Sequence, residues 1–173
     1  MSVPDELNDI LQEENKAVAV TALYGWVMTK AATAGYDSLS MEEKVIVHVN
    51  SLDWELSNRG VNRLIFGSDI NFSTEMPECL RRVGAKESAK LFEELLSTIP
   101  KQPLPEEKDE REAYFKSLSD REIDNLDLGI RKLFACKEDL FTHLCGYFDS
   151  IRGRLADQKA RHAETKNGWR VMR

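Results

Sequence analysis

Carboxylates recur at helical spacing in three places along the chain. Asp5, Asp9 and Glu13 stand at intervals of four, with Glu6 and Glu14 beside them. Glu106 and Glu110 repeat the interval, flanked by Glu107, Asp109 and Glu112, and Asp120, Asp124 and Asp127 make a third row. An α-helix rises about 1.5 Å per residue, so acids four apart stand roughly 6 Å apart along one face. That is close to the separation of successive phosphates on one strand of duplex DNA, which carries a charge about every 1.7 Å of axis when both strands are counted. The chemistry of such rows is the presentation of anions to a cationic partner. Like charges at this spacing cost a helix a few tenths of a kcal/mol per pair. Rows without matched cations are therefore locally unfavourable, and local rule-breaking of this kind marks functional surface. The bland alternative is the solvated face of an acidic protein.

Other constellations are poorer. His48 could act as a base near Asp53 and Glu55, but His48 and Glu55 fall on the helical face that also holds Leu52 and Leu56. A satisfied, partly buried histidine fits that pattern better than a catalytic one. His143 and Cys145 form a single His-x-Cys pair with Cys136 nine residues before Cys145; zinc sites use paired spacings such as Cys-x2-Cys, so no metal site is expected. No phosphate loop, nucleophile elbow or His-Glu-x-x-His helix occurs, and neither an enzymatic activity nor a cofactor is expected. Arg59 and Arg63 read as surface ion-pair partners of Glu55 or neighbouring acids, and Trp26 and Trp54 as core.

The charges are distributed unevenly. Residues 1–149 hold 17 Lys and Arg against 28 Asp and Glu, whereas residues 150–173 hold 7 against 2. An acidic body repels nucleic acid and lipid head groups and attracts basic proteins, including those that bind DNA. With 173 residues, 42% apolar and 31% charged, the chain reads as one globular domain. Residues 1–151 form the acidic helical domain, and 152–173 read as a basic extension of the last helix or a mobile tail. The tail carries Arg152, Arg154, Lys159, Arg161, Lys166, Arg170 and Arg173. Laid across the acidic surface it would compete with basic partners, and deletion of residues 155–173 would then strengthen partner binding. Three unpaired-looking cysteines, Cys79, Cys136 and Cys145, suit a reducing compartment. The acidic Met1–Glu6 segment has no signal-peptide character, so the cytoplasm is expected. Ala17 to Thr29 is the longest weakly polar run, too short for a membrane span and read as a buried core helix.

Nearly every segment has the helical period. Pro4, Asp5 and Glu6 start a first helix whose apolar face is Leu7, Ile10 and Leu11. Asn15 caps a second, with Val18, Ala22, Trp26 and Val27 as its stripe, ended by Gly35. Ser40 and Glu43 make a capping box ahead of Val45, Val49, Leu52 and Leu56. That helix stops at Asn58–Gly60; a short apolar turn at Leu64–Phe66 and a loop over Gly67–Ser73 follow. Pro77 opens a helix that Gly84 closes, and Lys86–Thr98 is a clean helix bearing Ala89, Leu91, Phe92, Leu95 and Leu96. Pro100, Pro103 and Pro105 form a rigid connector. Glu106–Leu118 turns Ala113, Tyr114 and Leu118 inward. Ser119 and Glu122 make a second capping box before Ile123, Leu126, Ile130, Leu133 and Phe134. Leu140, Phe141, Leu144, Tyr147, Phe148 and Ile151 give the last stripe. The fold class is all-α, with seven to nine helices.

The stretch Trp54–Gly67 is a polar turn between apolar segments, either a ligand site or a packed corner. It lies within the stretch from His48 to Pro100, which resembles a bacterial domain family long catalogued as of unknown function. The best-described member of that family is a small acidic DNA-mimic protein. The family pattern has Glu, two residues, Asn, two glycines, an aromatic, then Gln and further aromatics ending in Asn. Here it falls on Glu55, Asn58, Arg59-Gly60, Val61, Arg63, Leu64-Ile65-Phe66 and Gly67. Arg59 stands in place of the first glycine and Arg63 in place of Gln. A second block is similar at Cys79-Leu80-Arg81-Arg82-Val83-Gly84-Ala85 with Glu87-Ser88-Ala89 after it, and a third runs from Leu118 to Tyr147.

The resemblance implies an all-helical protein, homodimeric, that occupies the DNA-binding surface of a transcription factor or histone-like protein and keeps it from DNA. On this reading the basic DNA-binding protein is the partner, with no direct nucleic acid and no membrane. The expected contact residues are Asp5, Asp9, Glu13, Glu106, Asp109, Glu110, Asp120, Asp124 and Asp127. The family pattern itself does not lie on these rows, which then carry the function while the turn fixes the path of the central helices. The alternative is an immunity or antitoxin-type protein that neutralises a basic toxin by the same charge logic.

Overall fold

A computed structural model describes the backbone of residues 3–58, 74–100, 105 and 108–168, and the side chains of 6–58, 74–100, 105 and 109–157. Among the described residues there are eight α-helices and no strand. They are α1 (Val3–Gln12), α2 (Lys16–Ala34), α3 (Met41–Ser57), α4 (Met76–Val83), α5 (Lys86–Ser97), α6 (Lys108–Lys116), α7 (Asp120–Ala135) and α8 (Leu140–Gly168), with a short 3-10 turn at Tyr36–Ser38. The fold is all-α, as the periodicity predicts, and no described helix is long and apolar enough to cross a membrane.

Helix α3 is the hub. Val45, Ile46, Val47, His48 and Val49 are five consecutive buried residues. Consecutive positions point around the whole circumference, so the helix must be covered on several sides. Helices α2, α4 and α8 provide that cover. Beyond them, α4 packs on α5 and α5 on α7, while α1 lies against α2 and α8. The largest enclosed side chains include Leu23, Ile46, Leu52, Met76, Phe92, Ile130 and Phe148. Fully burying a side chain of this size stabilises by roughly 1.5–3 kcal/mol.

The helix ends follow local chemistry. The Asn15 side chain accepts from the N–H groups of Ala17 and Val18 at 3.1 and 3.4 Å. Ser40 forms its capping box, with Ser40 N–H donating to Glu43 Oε2 at 2.7 Å. Asn58 ends α3 and donates from Nδ2 to Trp54 O at 2.8 Å, with φ −98° rather than a positive value. The turn between α4 and α5 requires a left-handed residue: Gly84 has φ 88°, which lets Ala85 N–H reach back to Leu80 O at 2.9 Å.

Some stripes are rotated from their expected faces. In α2 the buried residues are Ala19, Val20, Leu23 and Val27, whereas Val18 is 51% exposed and Ala22 is exposed. The run from Ala17 to Thr29 is therefore buried on one side only. In α6 Phe115 and Arg111 turn inward and Ala113 outward; Arg111 donates to Pro105 O at 3.0 Å, which draws the helix onto the connector. Ile123 lies on the outer side of α7, and Trp54 is half exposed because α3 buries the opposite side of its last turns through Leu52 and Glu55. Residues 59–73, which hold the expected Gly60 stop, the Leu64–Phe66 turn and the Gly67–Ser73 loop, lie outside the described residues, as does Pro103.

Candidate protein-interaction surface

The interior uses its polar groups for structure. His48 is fully buried, with Nε2 2.6 Å from the Tyr36 hydroxyl. That hydroxyl donates to Glu75 Oε2 at 2.7 Å, and Lys44 Nζ reaches Glu75 Oε1 at 3.0 Å and lies over the Tyr36 ring. The hydroxyl's single proton is committed to the carboxylate, so Nε2 of His48 must be the donor to it. Burial pushes the Glu75 carboxyl up, but the bonds from Tyr36 and Lys44 outweigh it and hold the group below the usual carboxylate range. Burial, then the Glu75 bond, raises the Tyr36 phenol. Burial likewise pushes the Cys79 thiol up to about 12, which makes it an inert core thiol. This network joins the 3-10 turn, α3 and the residue preceding α4. No local spacing in the sequence announces it, since Tyr36 and Glu75 are 39 residues apart.

Glu55 is also buried, and its Oε2 has no hydrogen-bond partner. His143 places Nδ1 3.2 Å from Val83 O, and Cys136 places Sγ 3.4 Å from the Ser88 hydroxyl, so these two side chains close the corner between α4, α5 and α8. Among the described residues no group of three or more His, Cys, Asp or Glu is placed to hold a metal ion. A shallow cleft runs between α5 and α7, lined by Leu91, Glu94, Thr98, Asn125, Leu128, Gly129 and Lys132. Its charged groups are paired, Glu94 with Lys132 at 3.7 Å.

The surface acids divide. Glu6, Asp9 and Glu14 are exposed and make no ion pair among the described residues, and no Lys or Arg occurs before Lys16. The side chains of Asp5 and Glu106 lie outside the described residues. Glu13 leaves its row: α1 ends at Gln12, and the Glu13 carboxylate accepts from Asn15 N–H at 2.8 Å in the turn. Asp109 and Glu110 are exposed in the first turn of α6, and Asp120 is exposed at the start of α7. Acids at these positions complement the helix dipole, which accounts for them locally. Asp124 has no such account and no ion pair among the described residues. Asp127 is neutralised instead: Arg131 Nε donates to Asp127 Oδ2 at 2.7 Å, a matched cation one turn on. The rows do not converge through shared packing. Helix α1 packs on α2 and α8, whereas α7 packs on α5.

The basic end engages the body at its root. Arg152 donates to Glu13 O at 3.0 Å and covers the Phe148 ring, and Arg154 stands 3.5 Å from Glu42. The buried stripe of α8 extends to Leu155, while the helix backbone continues to Gly168. Truncation at 155 would thus remove a core leucine, so a clean deletion of the basic end begins at 158. The side chains of Lys159, Arg161, Lys166, Arg170 and Arg173 lie outside the described residues.

These features define an all-α protein whose interior ties its helices together through a Tyr36–His48–Glu75–Lys44 network, with a set of carboxylates outside that make no ion pair among the described residues. The chain belongs to the DMP19-like protein family, whose model matches residues 37–152. The match spans α3, α4, α5, α6 and α7 and ends within α8, so it covers the hub and leaves out α1 and α2. No curated protein and no solved structure matches the chain.

Proposed function

We propose that this protein acts by binding rather than by catalysis, as a DNA mimic. It occupies the DNA-binding surface of a basic transcription factor or histone-like protein, in the cytoplasm, as a homodimer and without a cofactor. The observation that carries this reading is the first 15 residues: five acids, Asp5, Glu6, Asp9, Glu13 and Glu14, with no Lys or Arg among them. Those acids described as exposed and unpaired remain available to another molecule's cations. Membership of the DMP19-like family supports the same reading.

The mechanism is electrostatic. Glu6 and Asp9, three residues apart on one face of α1, and Asp124 on α7 stand in the place of phosphate oxygens. They attract the basic surface at long range and occupy it at short range. Because the attraction is between solvent-exposed charges, it is screened over about 10 Å at 0.1 M salt.

The test uses a purified histone-like protein bound to a fluorescent DNA duplex. Adding this protein should release the duplex, with a potency that falls steeply between low and physiological salt. Retention of the duplex at every concentration of this protein, across a helix-turn-helix factor and a histone-like protein, overturns the reading.

A further inference from the structure

Helix α2 is unlike the rest of the surface. Between Ala17 and Ala34 the one charged residue is Lys30, and it folds onto Glu43 with Nζ 2.8 Å from both carboxylate oxygens. Yet half of the helix faces solvent: Ala17, Val18, Thr21, Ala22, Gly25, Thr29, Ala32 and Thr33 are all exposed. A helix without charge on any side belongs in an interior. In a chain that is 31% charged, an exposed helical face without a single charge needs a cover.

The face is already prepared for burial. The Thr21 hydroxyl donates to Ala17 O at 2.8 Å, Thr29 to Gly25 O at 3.0 Å and Thr33 to Thr29 O at 2.9 Å. Each hydroxyl is spent on its own helix, so covering the face would leave none of these donors unpaired. At Gly25 nothing beyond its chain neighbours and its own helix backbone lies within 4 Å of where a Cβ would stand, so the space there is open to another backbone.

We infer that this face is the contact between two copies of the chain, crossing antiparallel at Gly25. The inference rests on the homodimer of the preceding reading and supplies its interface. Symmetry argues for a second copy. Gly25 is the midpoint of Lys16–Ala34, and the exposed seam Val18, Thr21, Gly25, Thr29, Ala32 has intervals of 3, 4, 4 and 3. A twofold axis through Gly25 sets Val18 against Ala32 and Thr21 against Thr29, the self-complementary patch that an isologous contact requires. Charge argues the same way. With 28 acids against 17 bases in residues 1–149, two copies repel over most of their surface, and α2 lets them meet without like charges in contact. A basic protein finds no carboxylate there to pair with. The helix is about 28 Å long. The buried area then falls at the small end of specific interfaces, and the dimer is a concentration-dependent one.

The test is the mass of the full chain in solution, by sedimentation from about 1 to about 500 μM, a range that brackets dissociation constants expected of small interfaces. The wild-type mass should rise from 19.8 kDa towards twice that value. Val18→Asp, at an exposed position, should keep the chain monomeric with its thermal midpoint unchanged. Gly25→Ala adds a better helix former and no charge; it should raise the dissociation constant by about tenfold or more, a loss of one small contact, while the dilute chain is at least as heat-stable as wild type. A wild type that stays monomeric throughout, or variants that associate like wild type, overturns the inference. Gly25→Ala is then tried in the DNA-release assay. Release with lost association leaves the mimic reading standing apart from the interface. Association by wild type without any DNA release keeps the interface and removes the mimic reading.

Discussion

The carboxylates of this protein form two populations that differ in what they touch. Glu43 receives Lys30 Nζ and Ser40 N–H, Glu75 receives the Tyr36 hydroxyl and Lys44 Nζ, and Glu138 receives the N–H groups of Glu87 and Ser88. Glu6, Asp9 and Asp124 receive nothing from the described residues. The first population ties helix ends together across the fold. The second contributes repulsion and no compensating contact, so the fold does not explain its presence. The difference separates acidity that holds the protein together from acidity offered outward. It predicts that substitutions in the two sets have opposite readouts.

The largest stability effect should come from Glu43→Ala. It removes half of the α3 capping box and leaves Lys30 without its partner. A lost cap costs about 0.5–2 kcal/mol, and loss of the enclosed ion-pair partner brings the total to about 2–3 kcal/mol, less than for a fully buried pair because Lys30 reaches solvent. Thermal unfolding measures this, and DNA release at a temperature where the variant is folded should be unchanged. Reversing the outer acids of α1 with Glu6→Lys and Asp9→Lys, together with Asp5→Lys beside them in the sequence, should do the converse. Binding to a histone-like protein at low salt should fall by on the order of a hundredfold, with a midpoint within a few degrees of wild type. If the triple variant binds as well as wild type, α1 is not the contact and the division between the two sets fails.

Tyr36→Phe should cost about 1–2 kcal/mol, since it deprives both His48 Nε2 and Glu75 Oε2 of a partner in one step. The pH dependence follows from the directions already described. Glu75 and Glu138 are both held below the usual carboxylate range, the latter by the Ser88 and Glu87 N–H groups against burial. A depressed carboxyl contributes stability that is complete above its unfolded pKa and is lost as pH falls through the folded one. Stability should therefore be level above about pH 5 and decline below the ordinary carboxylate range of about 4.3. Asp53 has the opposite sign: burial, then the nearby Asp139 charge, raises its pKa. Asp53→Asn should stabilise the protein slightly at pH 7, and Glu75→Gln should flatten the acid limb.

What could be read from the sequence follows physical range. Caps at Asn15, Ser40 and Ser119 and stops at Gly35 and Gly84 act within a turn, and each was legible from residue type and spacing. The stripes of α3 and α8 were legible because many apolar residues agree on one face. In α2 they do not agree: small and apolar residues surround the helix, so the pattern could not say which side is buried. The inward Arg111 depends on Pro105, and the Tyr36–His48–Glu75–Lys44 network joins distant segments; neither has a local signature. The acidic rows were legible as sequence, but their pairing was not. Row spacing identifies neighbouring acids and does not report where α1 ends at Gln12 or that Arg131 reaches Asp127.

That last contact sharpens the comparison within a single helix. Asp124 and Asp127 were expected to act alike, as two members of one row on α7. The structure assigns them to different populations, because Asp127 is held by Arg131 while Asp124 makes no ion pair among the described residues. The Asp127–Arg131 pair is exposed enough that its loss should change stability by at most about 0.5 kcal/mol. Partner binding is the more discriminating readout. Asp124→Asn removes an available charge and should weaken low-salt binding by a few-fold, on the scale of one exposed charge at an interface rim. Asp127→Asn removes a charge already neutralised and also releases Arg131, so its effect on binding should be no larger than that of Asp124→Asn. Equal and large losses from both would mean that Arg131 swings away on binding and that the whole row, rather than its unpaired member, faces the partner.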